Sequence, residues 1–168
     1  MKTMYYTRPV DGHQFFKNDI LKAIDTSPSV YNKTNTESHI SDYNINASVT
    51  RMYDALIMPA IMSHMRAVEQ HYKFKGINLV SYWFQKYNVG DFHDWHVHPS
   101  CHFTNVYFVE LPAPTLATQV TNPFDNNNMI DITVSEGDIL TFPGFFYHRA
   151  PIVSTGIKTI ISFNTNIL

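Results

Sequence analysis

Two histidines separated by one residue, in Trp95-His96-Val97-His98-Pro99, have a counterpart far along the chain in Phe142-Pro143-Gly144-Phe145-Phe146-Tyr147-His148. On an extended segment residues i and i+2 project from one face, so His96 and His98 point the same way if the segment is a strand. His148 can join them only in a fold that returns a distant strand to the side of the first. Imidazole is the commonest protein ligand for iron, zinc, copper and nickel. The pattern therefore points to a mononuclear metal centre inside a small β-barrel. A chain with nine histidines also yields an H-x-H pair by chance, so the surroundings have to decide.

The 168 residues are 44% hydrophobic and 14% aromatic, enough for a single domain (1–168) with a real core. The abundance of Phe and Tyr leans toward strands. Net charge is −2 and no Lys/Arg run is present, which argues against nucleic acid as an electrostatic partner. Cys101 is the sole cysteine, so no internal disulfide forms. The start, Met1-Lys2-Thr3-Met4-Tyr5-Tyr6, lacks the apolar core of a signal peptide. No apolar run approaches the roughly twenty residues that cross a bilayer. A cytoplasmic protein with no membrane partner is expected, and the triplet Asn46-Ala47-Ser48 then reads as an accidental glycosylation match.

Hydrophobic spacing divides the chain into a helical, polar part (1–76) and a β-barrel core (77–168). Phe16, Ile20 and Ile24 predict a helix over 13–24, ended by Ser27-Pro28. Residues 29–48, rich in Asn, Ser and Thr, read as a long surface loop. A second helix over 50–72 carries Met52, Leu56, Ile61, Met65, Val68 and Tyr72 as its apolar stripe, with a kink or fresh start at Pro59. Strands are expected at 77–88, 95–99, 104–111, 116–120, 130–134, 138–142 and 158–165, divided by turn signals such as Asn88-Val89-Gly90 and Asn126-Asn127-Asn128. Many short strands after a helical pair suggest a jelly roll or related barrel backed by helices. His13, His39, His64 and His71 read as surface residues, and His93 and His102 as strand-end residues on the surface or in hydrogen bonds.

Lys158 opens the apolar strand Lys158-Thr159-Ile160-Ile161-Ser162-Phe163-Asn164. A cation pointing inward there is costly without an anionic partner. If Lys158 faces the barrel interior, a bound carboxylate is implied.

The order Trp83, Gly90, His96-x-His98-Pro99, Gly137, Phe142-Pro143, His148, Lys158 and Ser162-Phe163-Asn164 resembles the iron(II)/2-oxoglutarate-dependent oxygenases, most closely a small uncharacterised bacterial and phage branch. The resemblance spans about half the chain, from Ile77 to Asn164. It implies a fold that is mainly β with flanking helices, a double-stranded β-helix (jelly-roll, cupin-like barrel) preceded by an N-terminal helical segment. It implies Fe(II) held by His96, His98 and His148, and 2-oxoglutarate anchored by Lys158. It also implies oxidative decarboxylation to succinate and CO2 coupled to hydroxylation of a small-molecule or peptidyl substrate. Members often carry a hydroxyl two residues after the anchor. Ile160 stands there in this chain, so Tyr107, Tyr82 or Ser162 would complete the carboxylate pocket.

His98 occupies the position that usually holds a carboxylate, and neutral imidazole there leaves the metal more positive. Asp94, on the same strand face by alternation, is an alternative as an acceptor behind a ligand imidazole or as a replacement ligand. Arg149 alternates away from the metal, toward the barrel mouth or solvent. Three readings stay open: a 2-oxoglutarate-dependent hydroxylase, a cupin-like three-histidine enzyme without that cosubstrate, and a non-catalytic barrel that only binds.

Overall fold

A computed structural model describes residues 4–46 and 48–168, with the backbone alone at 126 and 127. Met1–Thr3 at the start, and Ala47 in the glycosylation triplet, lie outside the described residues. Strand β1 (Tyr6–Pro9) leads into helix α1 (His13–Thr26), the hairpin β2 (Val30–Lys33) and β3 (Glu37–Ser41), and helix α2 (Asp54–Tyr72). Then follow β4 (Ile77–Tyr87), β5 (Phe92–His96), β6 (Phe103–Glu110), β7 (Gln119–Asn122), β8 (Asp125–Met129), β9 (Asp138–Pro143), β10 (His148–Ala150) and β11 (Lys158–Ile167). One continuous antiparallel sheet runs β1-β9-β6-β11-β4-β3-β5-β10-β7-β8, with β2 beside β3. It curls on itself as a jelly roll, so the expected fold class holds.

Strand alternation divides the core in two. On β11, Ile161 and Phe163 pack toward the helices with Tyr107 and Val109 of β6 and Ile57, Ile61 and Met65 of α2. The opposite face turns Ile160 into the barrel with Val106, Phe108, Leu140, Phe142 and Phe146. Both faces being covered, β11 is buried over its first eight residues and its apolar pattern is nearly continuous.

Several expectations change. The segment read as a loop over 29–48 contains the hairpin β2–β3, turned at Thr34, whose hydroxyl accepts hydrogen bonds from the N–H groups of Thr36 and Glu37. β3 then pairs with β4 and β5. Glu37 and His39 face the cavity while Ser38, on the other face, bonds Tyr31 and Asp91, so no hydrophobic alternation marks the strand. The first 76 residues are thus not only helix and loop, for they also supply β1, β2 and β3 to the sheet.

Helix α2 starts at Asp54, leaving Met52 exposed ahead of it while Ile57 is buried. The helix continues through Pro59. Its start is tied to the sheet by buried Asp42, which accepts from Tyr53 Oη at 2.5 Å, Arg51 Nε at 2.8 Å and Phe84 N at 2.9 Å.

The strand expected over 116–120 begins later, because Pro114 opens a 3-10 turn through Leu116. Residues 130–134 form no strand. Asn126-Asn127-Asn128 lies within β8, and the turn is made instead at Pro123-Phe124, where Asn122 Oδ1 accepts from Phe124 N at 2.9 Å. Among the helical and loop histidines, His13, His39 and His64 are buried rather than superficial. His64 Nε2 lies 2.6 Å from Thr141 Oγ1, and His13 Nδ1 lies 2.7 Å from Tyr107 Oη.

Candidate metal centre

Antiparallel pairing of β10 with β5 puts His148 directly opposite His96. Their ring centroids lie 4.2 Å apart. Strand β5 ends at His96, so His98 does not reach the site by strand alternation as the spacing predicted. It is carried by the following turn, where its N–H donates to Gly144 O at 2.8 Å, and its ring lies 4.9 Å from that of His148. Gly144 is needed there: a β-carbon would stand 2.8 Å from His98 O and 2.7 Å from Cys101 O. One ring nitrogen of each of His96, His98 and His148 falls within 4.8 Å of the others.

The second nitrogen of each ring is already committed. Nδ1 of His96 faces Asp94 O at 2.7 Å, and Nδ1 of His148 faces Phe146 O at 3.0 Å. A carbonyl oxygen only accepts, so both Nδ1 atoms carry the proton and both Nε2 atoms keep a lone pair. His98 Nδ1 meets Asn164 Oδ1 at 2.8 Å with the same consequence. Burial pushes His96 down to about 4 and His148 well below 6.5. All three imidazoles are therefore neutral at pH 7, as metal ligation requires. Asp94 serves through its backbone carbonyl. Its exposed carboxylate caps its neighbour's Trp95 N instead and is absent from the cluster.

The three rings line a cavity of about 420 Å³. Lys158, Ile160, Ser162 and Asn164 share the face of β11 directed into the barrel, opposite Tyr87, Gln85 and Trp83 of β4. Lys158 is fully buried, beyond the residues that line the open cavity, with Nζ 5.3 Å from the Tyr87 ring centre. Nζ has no hydrogen-bond partner among the described residues, and burial lowers its pKa to about 7. Ser162 lies on the cavity wall, its hydroxyl donating to Gln85 Oε1 at 3.0 Å.

Tyr107 and Tyr82 sit elsewhere. Tyr107 packs in the helix-side core with its hydroxyl on His13, and Tyr82 joins the same core beneath the Arg51 guanidinium. Both occupy the sheet face turned away from the cavity, so neither reaches a ligand held there. Arg149 does reach the cavity wall, stacked over Trp95 at 4.6 Å and bonded to Gln119 Oε1 at 2.7 Å.

Sequence reasoning missed four cavity residues: Glu37, His39, Gln85 and Asn164. The i, i+2 pair Glu37-x-His39 was a legible signal, hidden inside a segment read as loop. Asn164 follows Ser162 by one strand repeat and was legible the same way. His93, read as a strand-end residue, stacks on His96 with centroids 3.9 Å apart and planes 10° from parallel.

No family model matches the sequence, and no curated protein matches it. Solved structures do match the fold. An oxidoreductase of the 2OG-Fe(II) oxygenase family from Burkholderia pseudomallei has a TM-score of 0.72 at 10% identity, covering 96% of this chain and 85% of that one. HygX from Streptomyces hygroscopicus, solved with nickel and 2-oxoglutarate bound, has a TM-score of 0.68 at 10% identity over 98% and 83%. A Pseudomonas putida prolyl-4-hydroxylase has a TM-score of 0.66 at 11% identity over 96% and 92%. The chain thus has the fold of the 2OG-Fe(II) oxygenases, the superfamily its motif order resembles.

Proposed function

We propose that the protein is an Fe(II)- and 2-oxoglutarate-dependent dioxygenase that hydroxylates a small-molecule or peptidyl substrate. The observation that carries this reading is Lys158: a fully buried lysine whose Nζ meets no acceptor among the described residues, placed on the strand face that also carries the cavity residues Ser162 and Asn164. An ammonium left that way calls for an anion. The three-histidine group makes the same demand, because neutral imidazoles leave a divalent ion's charge uncompensated. A dicarboxylate spanning the two answers both.

His96, His98 and His148 would hold the iron through Nε2, and Lys158 the distal carboxylate, with Ser162 as the adjoining hydroxyl. With both bound, iron and 2-oxoglutarate would activate O2 for hydroxylation, one oxygen atom going to the substrate and the other to succinate as CO2 leaves. The chain's own part is positional. Asp94 O, Phe146 O and Asn164 Oδ1 fix the ligand rings, Gln85 holds the Ser162 hydroxyl, and Phe142 packs edge-on to His148 at 4.8 Å. At the mouth, the Arg149 guanidinium is positioned to meet substrate.

Anaerobic titration with Fe(II) and then 2-oxoglutarate, followed by visible absorption, tests the reading. A weak charge-transfer band is expected only with both present, and lost in Lys158→Ala and His96→Ala. Iron binding without 2-oxoglutarate affinity would transfer the assignment to a cupin-like three-histidine enzyme. Absence of iron binding would leave a non-catalytic barrel.

A further inference from the structure

Glu37, His39 and His93 form a second donor group on the wall of the same cavity, and the oxygenase reading gives it no role. Glu37 and His39 are i, i+2 on β3, and register with β5 sets Glu37 opposite His93. One carboxylate oxygen, Glu37 Oε2, lies 3.7 Å from both His39 Nδ1 and His93 Nε2. The three donor atoms fall within 4.8 Å of one another. His39 is only 2% exposed, and its Nδ1 has no hydrogen-bond partner among the described residues.

A separation of 3.7 Å is too long for a hydrogen bond. It suits two ligands held at about 2.1 Å from one ion at a wide angle. The remaining nitrogens, His39 Nε2 and His93 Nδ1, converge on one group: each lies 3.3 Å from the side-chain amide of Gln85. Amide nitrogen and oxygen are interchangeable by a half-turn. With Oε1 toward the rings, Gln85 accepts an N–H from each imidazole through its two lone pairs. Its NH2 then donates to the Ser162 hydroxyl. In that orientation His39 Nδ1 and His93 Nε2 both present lone pairs toward Glu37.

We infer that Glu37, His39 and His93 bind a second divalent transition-metal ion beside the three-histidine group, with Gln85 selecting the ring tautomers. Two imidazoles and one carboxylate form a donor set suited to zinc, cobalt or iron, with positions left open to the cavity. The stacked rings of His93 and His96 make a shared wall between the two groups. The inference goes beyond the oxygenase reading and does not depend on 2-oxoglutarate.

Co(II) titration of the metal-free 168-residue chain, with retained metal counted after desalting, tests it. Wild type is expected to hold two equivalents, and Glu37→Gln and His148→Ala one each. Glu37 has a side chain 29% exposed, so its isosteric replacement leaves the fold intact. Gln85→Leu is expected to weaken one equivalent about tenfold or more while the other is unchanged. A single equivalent in wild type that survives Glu37→Gln overturns the inference, as do two equivalents in Glu37→Gln. A single equivalent lost in Glu37→Gln and kept in His148→Ala would uphold this site and overturn the three-histidine assignment instead.

Discussion

Asn164 Oδ1 accepts the Nδ1–H of His98 at 2.8 Å, joining the last strand of the barrel to a turn 66 residues earlier. That bond orients the one ring of the three-histidine group not held by a strand. Asn164→Ala is expected to weaken Fe(II) binding 10- to 100-fold, and Asn164→Asp to retain it. Competition with a chromophoric chelator measures both. Equal affinity in Asn164→Ala and wild type would show that the turn alone positions His98.

Lys158 gives a pH-dependent prediction. Its folded pKa, about 7, lies below that of the unfolded side chain. Between the two values the unfolded chain binds the extra proton, so this group's contribution makes stability rise with pH across that window and costs stability below it. Lys158→Met is therefore expected to stabilise the ligand-free protein at pH 8 by about 3 kcal/mol, while abolishing 2-oxoglutarate binding. Urea melts of the two proteins decide the first point. Binding of the dicarboxylate is further expected to take up a proton at pH 8, read from calorimetry in buffers of different ionisation enthalpy.

Buried His64 acts on the acid side. Burial, with a smaller effect from nearby Arg8, holds its pKa at about 3. Between about 3 and about 6.5 the unfolded state carries the proton, so stability falls as pH drops through 6.5. His64→Gln removes the titration and leaves Thr141 Oγ1 bonded to Asn105 Oδ1 at 2.6 Å. The stability lost between pH 7 and pH 5 should shrink by about 2 kcal/mol. An unchanged loss in denaturant melts would remove His64 from the account.

Gly144 clamps the His98 turn by close approach, donating to His102 O at 2.9 Å and accepting from His98 N. The β-carbon of Gly144→Ala would meet two carbonyl oxygens and Cys101 Sγ inside 3.0 Å, so the turn must shift. Metal affinity is expected to fall at least tenfold while the β11–β4 and β11–β6 ladders persist. Metal titration beside far-ultraviolet circular dichroism separates the two effects. Full affinity would mean that the turn absorbs the methyl group.

The three-histidine cluster and the central strands were legible because their signals are local. His96-x-His98, the distant His148, and Lys158 at the head of an apolar strand can all be read without knowing the packing. Spacing left open whether Lys158 faces the barrel interior, and the structure buries it. Tyr107 illustrates the limit. Its hydroxyl qualified it for the carboxylate pocket, yet the β6–β11 register turns it to the helices and onto His13. A slip of one residue exchanges sheet faces, and register is a property of the paired strands. The hairpin over 30–41 was missed for a related reason: polar residues stand on both of its faces, with Glu37 and His39 toward the cavity and Ser38 bonded to Tyr31 and Asp91, and periodicity reads only apolar alternation.

By itself the sequence pointed to the jelly-roll class, the three histidines and a lysine at the head of an apolar strand, since residue type, order and local spacing carry that information. Only the tertiary structure decided which nitrogen of each ring is free, that Asp94 supports the site through its backbone carbonyl and Asn164 through its side chain, and that Glu37, His39 and His93 meet. Those facts depend on strands far apart in sequence being brought into register, where one residue's carbonyl or amide sets the proton on another's ring.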